Sequence, residues 1–457
     1  MTQAPVLTPR NFLILVLVAC AFVAPLFFLP LQSQQSWWNN VNWVDQFTDQ
    51  LRAGHLYPRW LPDSHGGGGA PTFYFYAPLP FYVAAIPNAL GLSNYWSVVA
   101  TFGTGSVAMG SAMLLWLRGS RRPLLGSLLF MLLPYTVIDF YLRAAIGEFV
   151  AIVFIPLLAL ALRDRRPVLL AISYAGLILS HLPLALLVSI FFVAPYGLMM
   201  IAKDRDRLLP TALGLAAGLL LAGIYVVPAL LLQKHILVGA LFTNAHFTAT
   251  EWLIGGSMVG YAPFSTIIYA VMGFMGLSAL LVARQQPRWA IAAIAILALV
   301  TVGYGIWSLP LIEKVQFPWR ALPIAGFALA TAFAHARAPL WAWASAAPLL
   351  VASATSTLLL ERKPLPLSDF TQPHQDANEY LPAAAPVPEG QLPRRWALEQ
   401  DGVFYFPSLG PSEDGVFLDG EPELRMLDEE KIGLALSLLG LLLTAWLWRG
   451  PIRRRAS

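Results

Sequence analysis

Charge is scarce in this 457-residue sequence. Asp, Glu, Lys and Arg make up only 12% of it, against about 25% in a soluble domain. Hydrophobic residues make up 57%, and mean hydropathy is +0.63. That balance excludes a soluble fold and indicates a polytopic membrane protein. Cysteine is almost missing: Cys20, inside the first apolar run, is the single one. An intramolecular disulfide and a cysteine-held metal cage are therefore excluded. The chain has no Walker loop, no dinucleotide fingerprint, no HExxH and no GxSxG, so nucleoside triphosphate hydrolysis has no support. The net charge of +4 is small. The basic residues stand in short loops beside apolar runs, without the aromatic-interleaved patch that nucleic acid requires.

What is present is apolar length. A span needs about 20 mostly apolar residues. That template picks out twelve segments: 11–30, 95–117, 123–139, 147–162, 168–181, 183–202, 208–231, 261–283, 289–306, 321–335, 339–358 and 432–448. The first resembles a signal peptide, but no small-residue cleavage site follows, so it reads as a retained helix. The positive-inside rule tests the count. With a cytoplasmic N-terminus, one side holds Arg10, "RGSRR", "RDRR", "KDRDR", Arg284 with Arg288, Arg337 and the tail "RGPIRRR". These are 17 of the 29 basic residues, packed into very short loops. Both termini then lie on the cytoplasmic side. Counting 77–91 as a span would invert every later loop, so it reads as an interfacial or re-entrant helix.

The expected fold is an all-α polytopic bundle over 1–358, with its first outer loop at 31–94. A small extracytoplasmic lobe over 359–431 and a final helix with a basic tail over 432–457 complete it. In the first loop, "GHLYPRWLPDSHGGGGAPTFYFYAPLP" carries too many glycines and prolines to span. Non-helical backbone at that level is tolerated where it lines a cavity.

The polar residues on the outer side read in two ways each. Asp45 and Asp49 are four residues apart, on one helical face, with Arg52 three further on. This is either a solvated amphipathic helix or a carboxylate set at the membrane boundary as a general base. "DFYLRAAIGEF" places Asp139, Arg143 and Glu148 between two apolar runs. Structural pairing of Arg143 with Glu148 stands beside a polar cavity, because ionisable groups at membrane depth are costly. His181 in "SHLP" reads first as a packed histidine. Lys234, in "QKHILVGALFTNAHFTATEW", could meet an anionic head group, and that segment has no metal-ligand spacing. Arg320 in "VQFPWRALP" reads as an interfacial anchor or as a phosphate ligand, since guanidinium matches phosphate oxygens.

Taken in order, Asp45, "LRAGHLYPRWLP", "GGGGAPTFYFYAPLPFY", "YLRAAIGEF", "SHLP" and "VQFPWRALP" resemble the GT-C superfamily of membrane glycosyltransferases. The set looks closest to the bacterial 6-pyruvoyl-tetrahydropterin-synthase-related membrane proteins, and more loosely to YfhO-like proteins. The likeness covers about 11–335, with a weaker echo at "EYLP". It implies a bacterial inner-membrane enzyme moving a sugar from a polyprenyl-phosphate donor to a lipid, glycan or protein acceptor, with inversion, on the extracytoplasmic side. It implies Asp45 as the base, Glu148 as a second outer acid, and Arg320 or Arg143 on the lipid phosphate. Two juxtamembrane helices are implied at 40–55 and 77–91. Asp49, Tyr57, Arg59, Trp60, His65, Tyr74, Tyr76, His181 and Lys234 complete the expected substrate contacts, with Trp60, Tyr74, Phe75 and Tyr76 stacking on sugar or shaping the lipid mouth. The usual adjacent acidic pair is split here, so no cofactor is expected. A divalent ion between Asp45 and Glu148 is the alternative. The competing class is a transporter or flippase of a lipid-linked glycan. The suspect residues lie on one face and no repeat of spans is visible, which counts against it. A scaffold using the 359–431 lobe is a third reading.

Overall fold

A computed structural model describes residues 6–28, 36–64, 70–236, 245–260, 264–337 and 426–449. Among these residues the regular structure is helical, apart from one antiparallel bridge between Leu61 and Ala70. Among the described residues, seven helical segments are long and apolar enough to cross a membrane: Pro9–Phe27, Asn94–Trp116, Pro123–Tyr141, Ile146–Arg163, Leu182–Lys203, Ser265–Ala283 and Asp428–Arg449. The chain is an all-α polytopic membrane protein. Ile146–Arg163 is the most enclosed of the seven, and the first and last are the least.

Eleven of the twelve expected spans coincide with helices. The twelfth, 339–358, lies outside the described residues, as does most of 359–431. The last helix starts at Asp428, so 428–431 belong to it and not to the expected lobe. Pro167–Ser180, Pro287–Val302 and Leu322–His335 have 14, 16 and 14 residues. At about 1.5 Å per residue each falls short of a hydrocarbon core about 30 Å thick.

The expected single span 208–231 is broken. Leu208–Leu221 and Gly223–Leu231 meet at a 64° bend around Ala222. A bend at this depth strands backbone polar groups that lipid cannot satisfy. Ser437 of the last helix supplies them: its hydroxyl accepts from the Ile224 N–H at 2.8 Å and donates to the Leu221 carbonyl at 2.9 Å. The approach is close enough to require glycine. A Cβ on Gly433 would stand 2.7 Å from the Gly223 carbonyl oxygen. Small residues let membrane helices meet in this way. Gly433→Leu is therefore expected to cost on the order of 1–3 kcal/mol through overpacking, read as a lower thermal midpoint in detergent. An unchanged midpoint would show that this contact is not made.

Three basic loops meet at one end of the bundle. Arg118 pairs with Asp164, and Arg165 pairs with Asp204. Arg163 donates to the Trp116 carbonyl at 2.7 Å, and Arg207 donates to the Arg163 carbonyl at 2.9 Å. The Arg122 N–H bonds the Ala334 carbonyl at 3.1 Å, which brings the end of Leu322–His335 to the same place.

The first loop folds into two helices and an ordered connection. Trp37–Arg52 buries Trp37, Val41, Val44, Phe47 and Thr48 along one stripe, the i, i+3, i+4 pattern of an amphipathic helix. Leu79–Ala89 begins on Pro78 and Pro80, which suit a first turn. It ends at Gly91, whose φ of +98° favours glycine. Between them, Phe73 stacks edge-on against Phe47 and Phe81, with centroids 4.7 and 4.8 Å apart. The aromatic run of the loop is its own core.

Candidate functional site

A charged cluster sits inside the bundle. Tyr135, Asp139 and Arg143 step by four residues, so the helix Pro134–Tyr141 and its C-terminal turn place them on one face. Glu148 comes from the first turn of Ile146–Ile152. One terminal nitrogen of Arg143 donates to Asp139 at 2.7 Å, to Glu148 at 2.8 Å and to the Tyr135 hydroxyl at 2.9 Å. That hydroxyl donates in turn to the other oxygen of Glu148. Asp139 and Glu148 are fully buried, and Arg143 nearly so. Arg320 reaches Glu148 with Nε at 3.4 Å and donates to the Val315 carbonyl at 2.6 Å. Two carboxylates and two guanidiniums leave the cluster formally neutral, the condition under which buried charge is tolerated.

The turn 142–145 that closes this cluster is held by the first loop. Ala144 adopts φ +49°, a left-handed conformation costly for a residue with a Cβ. The Asn40 side chain donates to its carbonyl at 2.6 Å, and the Ser36 N–H donates to the Arg143 carbonyl at 3.2 Å. The helix that carries Asp45 is thus docked by its first turns on the backbone of the charged cluster. Asn40 precedes Asp45 by five residues, about 7.5 Å of helical rise.

Asp45 itself is exposed on the outer face of that helix. Its surroundings are acidic. Partial desolvation raises its pKa most, Asp49 and Asp63 raise it further, and an Asn94 hydrogen bond and Arg52 pull it back. Asp49, also exposed, is paired with Arg52 at 2.8 Å. Asp45 and Glu148 share no charged neighbour: the former has Asp49, Asp63 and Arg52, the latter Arg143, His181 and Arg320. Among the described residues no group of three His, Cys, Asp or Glu could hold a metal ion.

A third feature is a cavity of about 700 Å³ between the first loop and the last helix. Gln50, Tyr57, Arg59, Trp60 and Tyr74 line it from the loop side, and Glu430 and Leu434 from the last helix. Arg59 pairs with Glu430 at 2.7 Å and donates to the Ile224 carbonyl at 2.9 Å. Its guanidinium lies 3.9 Å from the Tyr57 ring centre. Burial raises the Tyr57 phenol above its ordinary range, so it serves as a neutral hydroxyl, donating to the Phe73 carbonyl.

The remaining expected contacts fall in different places. Trp60 and Tyr74 are 8% and 2% exposed and stand in the wall of that cavity. Tyr76 packs against Trp43 with ring centres 4.8 Å apart, and burial pushes its phenol up to about 12. Its hydroxyl and the His181 ring both border Gly147, where a Cβ would be 3.4 Å from the one and 3.5 Å from the other. His181 Nδ1 caps the next helix by accepting from the Leu184 N–H at 3.1 Å. Lys234 is exposed on the turn Gln233–His235. His65 and the four glycines after it lie outside the described residues. Sequence reasoning missed Tyr135, whose signal was the four-residue step to Asp139 and Arg143. It also missed Glu430, for which no signal existed, since its partner Arg59 is 371 positions away in the chain.

No family model and no curated protein matches the chain. Among solved structures it is similar to the cryo-EM structure of arabinofuranosyltransferase AftD from Mycobacteria. The identity is 18% and the TM-score 0.48, over 78% of this chain and 27% of that one. A variant of the same protein matches at 16% identity and TM-score 0.44, over 78% of this chain and 28% of that one. The chain spans about a quarter of the length of those structures.

Proposed function

We propose that this chain is a bacterial inner-membrane glycosyltransferase of the GT-C type. It takes a sugar from a polyprenyl-phosphate donor and works on the extracytoplasmic side. Asp45 accepts the proton of the acceptor hydroxyl while that oxygen attacks the anomeric carbon. The bond from that carbon to the phosphate oxygen breaks, and polyprenyl phosphate leaves with inversion at the sugar. The observation that carries this reading is the Asp45 carboxylate: exposed, raised in pKa, and mounted on an amphipathic helix docked against the bundle. A base works best when its pKa approaches the working pH. The meeting of three basic loops at one end supports the expected orientation, by the positive-inside rule.

The geometry favours Arg320 over Arg143 for the departing phosphate. Arg143 commits one nitrogen to three oxygens and is buried. Arg320 sits at the rim of the cluster, its side chain 11% exposed. Its contacts are the 3.4 Å approach of Nε to Glu148 and the Val315 carbonyl bond. A guanidinium at that rim would stabilise charge developing on phosphate, while Arg143 keeps Glu148 in place behind it.

The test is direct. Purified protein, a polyprenyl-phosphate sugar and candidate acceptors should yield free polyprenyl phosphate and an acceptor heavier by one sugar. Movement of labelled lipid across vesicles with no product would favour the transporter reading.

The acidic surroundings of Asp45 add a signed pH prediction. A base must be deprotonated, so activity falls as pH drops through its raised pKa. Asp49→Asn or Asp63→Asn removes a repelling anion, lowers that pKa, and should move the acid limb to lower pH. Arg52→Gln removes an attracting cation and should move it to higher pH. Rate profiles of the three variants read this, and a limb that stays in place in all of them rules out Asp45 as the base.

A further inference from the structure

One end of the bundle carries charge that the transfer as written does not use. The turns 118–122, 163–166 and 203–207 meet there and hold nine basic residues against three acidic ones. At the centre, the guanidiniums of Arg118, Arg163, Arg165 and Arg207 share only two carboxylates, those of Asp164 and Asp204. Backbone groups hold the cations in place. Arg163 donates to the Trp116 carbonyl at 2.7 Å and lies 4.4 Å from the Trp116 ring centre. Arg207 donates to the Leu162 and Arg163 carbonyls at 3.1 and 2.9 Å, at the negative end of the helix Phe154–Arg163. The Asp164 side chain is 14% exposed, and each of the four arginines is more exposed than it. The acid is therefore inside and the cations face outward.

The cluster around Glu148 balances two carboxylates with two guanidiniums. This one leaves two positive charges over. Arg163 also keeps a donor spare, since its Nη2 makes no hydrogen bond among the described residues. The neighbouring surface selects the kind of anion. Met199 and Lys203 are four residues apart on one face of the helix Ala194–Lys203. Leu208 and Leu209 open the next helix directly after Arg207. Leu198, Leu208 and Leu209 are more than half exposed, and Met199 is 40% exposed. Lys203 and Arg205 stand exposed between these two apolar steps, and the one exposed acid, Asp206, is outnumbered. Cations and bare hydrocarbon thus adjoin on one helical hairpin. A soluble anion would use only the cations. A phospholipid uses both, because guanidinium matches phosphate oxygens and acyl chains cover the leucines.

We propose that this end of the bundle binds an anionic glycerophospholipid of the surrounding leaflet. Its phosphodiester sits on the arginines of 163–166 and 203–207, and its chains lie on Leu198, Met199, Leu208 and Leu209. The site stands whether or not the chain transfers sugar.

Native mass spectrometry of the full-length protein in detergent tests this. Dioleoyl phosphatidylglycerol and dioleoyl phosphatidylcholine, alike in chain and different in charge, are titrated in turn. The first should bind with an apparent Kd lower by about tenfold or more. Lys203→Gln with Arg205→Gln should remove most of that difference, and so should Arg207→Gln. The first pair is exposed, so its thermal midpoint should stay in place. Arg284→Gln with Arg288→Gln, exposed on a different basic loop, should keep the difference. Glycerophosphoglycerol, the same head without chains, should fail to displace bound phosphatidylglycerol. Equal affinity for the two lipids, a preference that survives both changes in 203–207, or one lost equally with Arg284 and Arg288, would each overturn the proposal. Displacement by the bare head would make this a site for a soluble phosphodiester. A dimer mass that the 203–207 variants lose would make it a contact between copies. Either result overturns the lipid site as well.

Discussion

Asp45→Asn is expected to lower sugar transfer by about 10²–10⁴-fold, the usual contribution of a positioned general base, in a protein that folds and inserts normally. The substitution keeps shape and removes the one property that matters, the ability to hold a proton. Asp45 is exposed, and exposed substitutions usually change stability by no more than about 0.5 kcal/mol. The thermal midpoint should therefore stay put while turnover collapses. Asp49→Asn is the matched control: the same residue type on the same face, already paired with Arg52 at 2.8 Å, and expected to retain most of the rate near neutral pH. A folded Asp45→Asn protein with wild-type turnover removes Asp45 from the mechanism. The controls also separate a base from a surface charge, because a merely electrostatic role would show in both variants.

Arg143→Met should produce the opposite pattern, a loss of stability before any loss of chemistry can be measured. Its guanidinium is the shared partner of Asp139 and Glu148, both fully buried. Removing one member of a buried charge set leaves the others uncompensated, at about 3–5 kcal/mol. Glu148 keeps Tyr135 and Arg320, but Asp139 has no second partner, since its outer oxygen is unbonded among the described residues. The double change Arg143→Met with Asp139→Leu should therefore recover part of the loss, because it removes the stranded anion with its cation. Thermal midpoints in detergent, followed by tryptophan fluorescence, read both. If the double variant is less stable than the single one, Asp139 is not the stranded charge.

These two expectations show how unevenly the sequence speaks. The membrane class followed from composition alone, because bilayer thickness sets the length of an apolar helix. Eleven apolar segments were legible as helix positions for the same reason. The first-loop helices, expected at 40–55 and 77–91 and found at 37–52 and 79–89, carry local signals too: proline, glycine and an amphipathic stripe. The bend at Ala222 was not, because the sequence through 208–231 stays apolar. The break becomes tolerable only when Ser437, more than 200 positions later, satisfies the freed backbone groups. The same holds for the broken half of the candidate site. The Arg143–Glu148 pairing was visible at five residues' separation, whereas Arg320 on Glu148 and Arg59 on Glu430 join residues far apart in the chain.

The aromatics of the first loop illustrate the limit. "TFYFY" offers rings to stack on a sugar or to shape a lipid mouth. In the structure Phe73 and Tyr74 are packed inside the loop, because a loop with few charges and several prolines needs its own rings to bury. Exposure is a property of packing and cannot be read from residue type.

By itself, then, the sequence determined the class of the protein, the rough place of its apolar helices among the described residues, and a short list of charged residues between the apolar runs. Length, periodicity and the cost of charge in hydrocarbon are local quantities, readable one window at a time. The tertiary structure alone decided which of those charges are spent on one another and which stay open. Arg143 and Glu148 neutralise each other in the core, Arg59 is taken by Glu430, and Asp45 is left at the surface among other acids. Pairing between distant residues depends on where helices cross, and helix crossings are set by the close approach of residues such as Gly433 to the Gly223 backbone, a contact that no window of sequence contains.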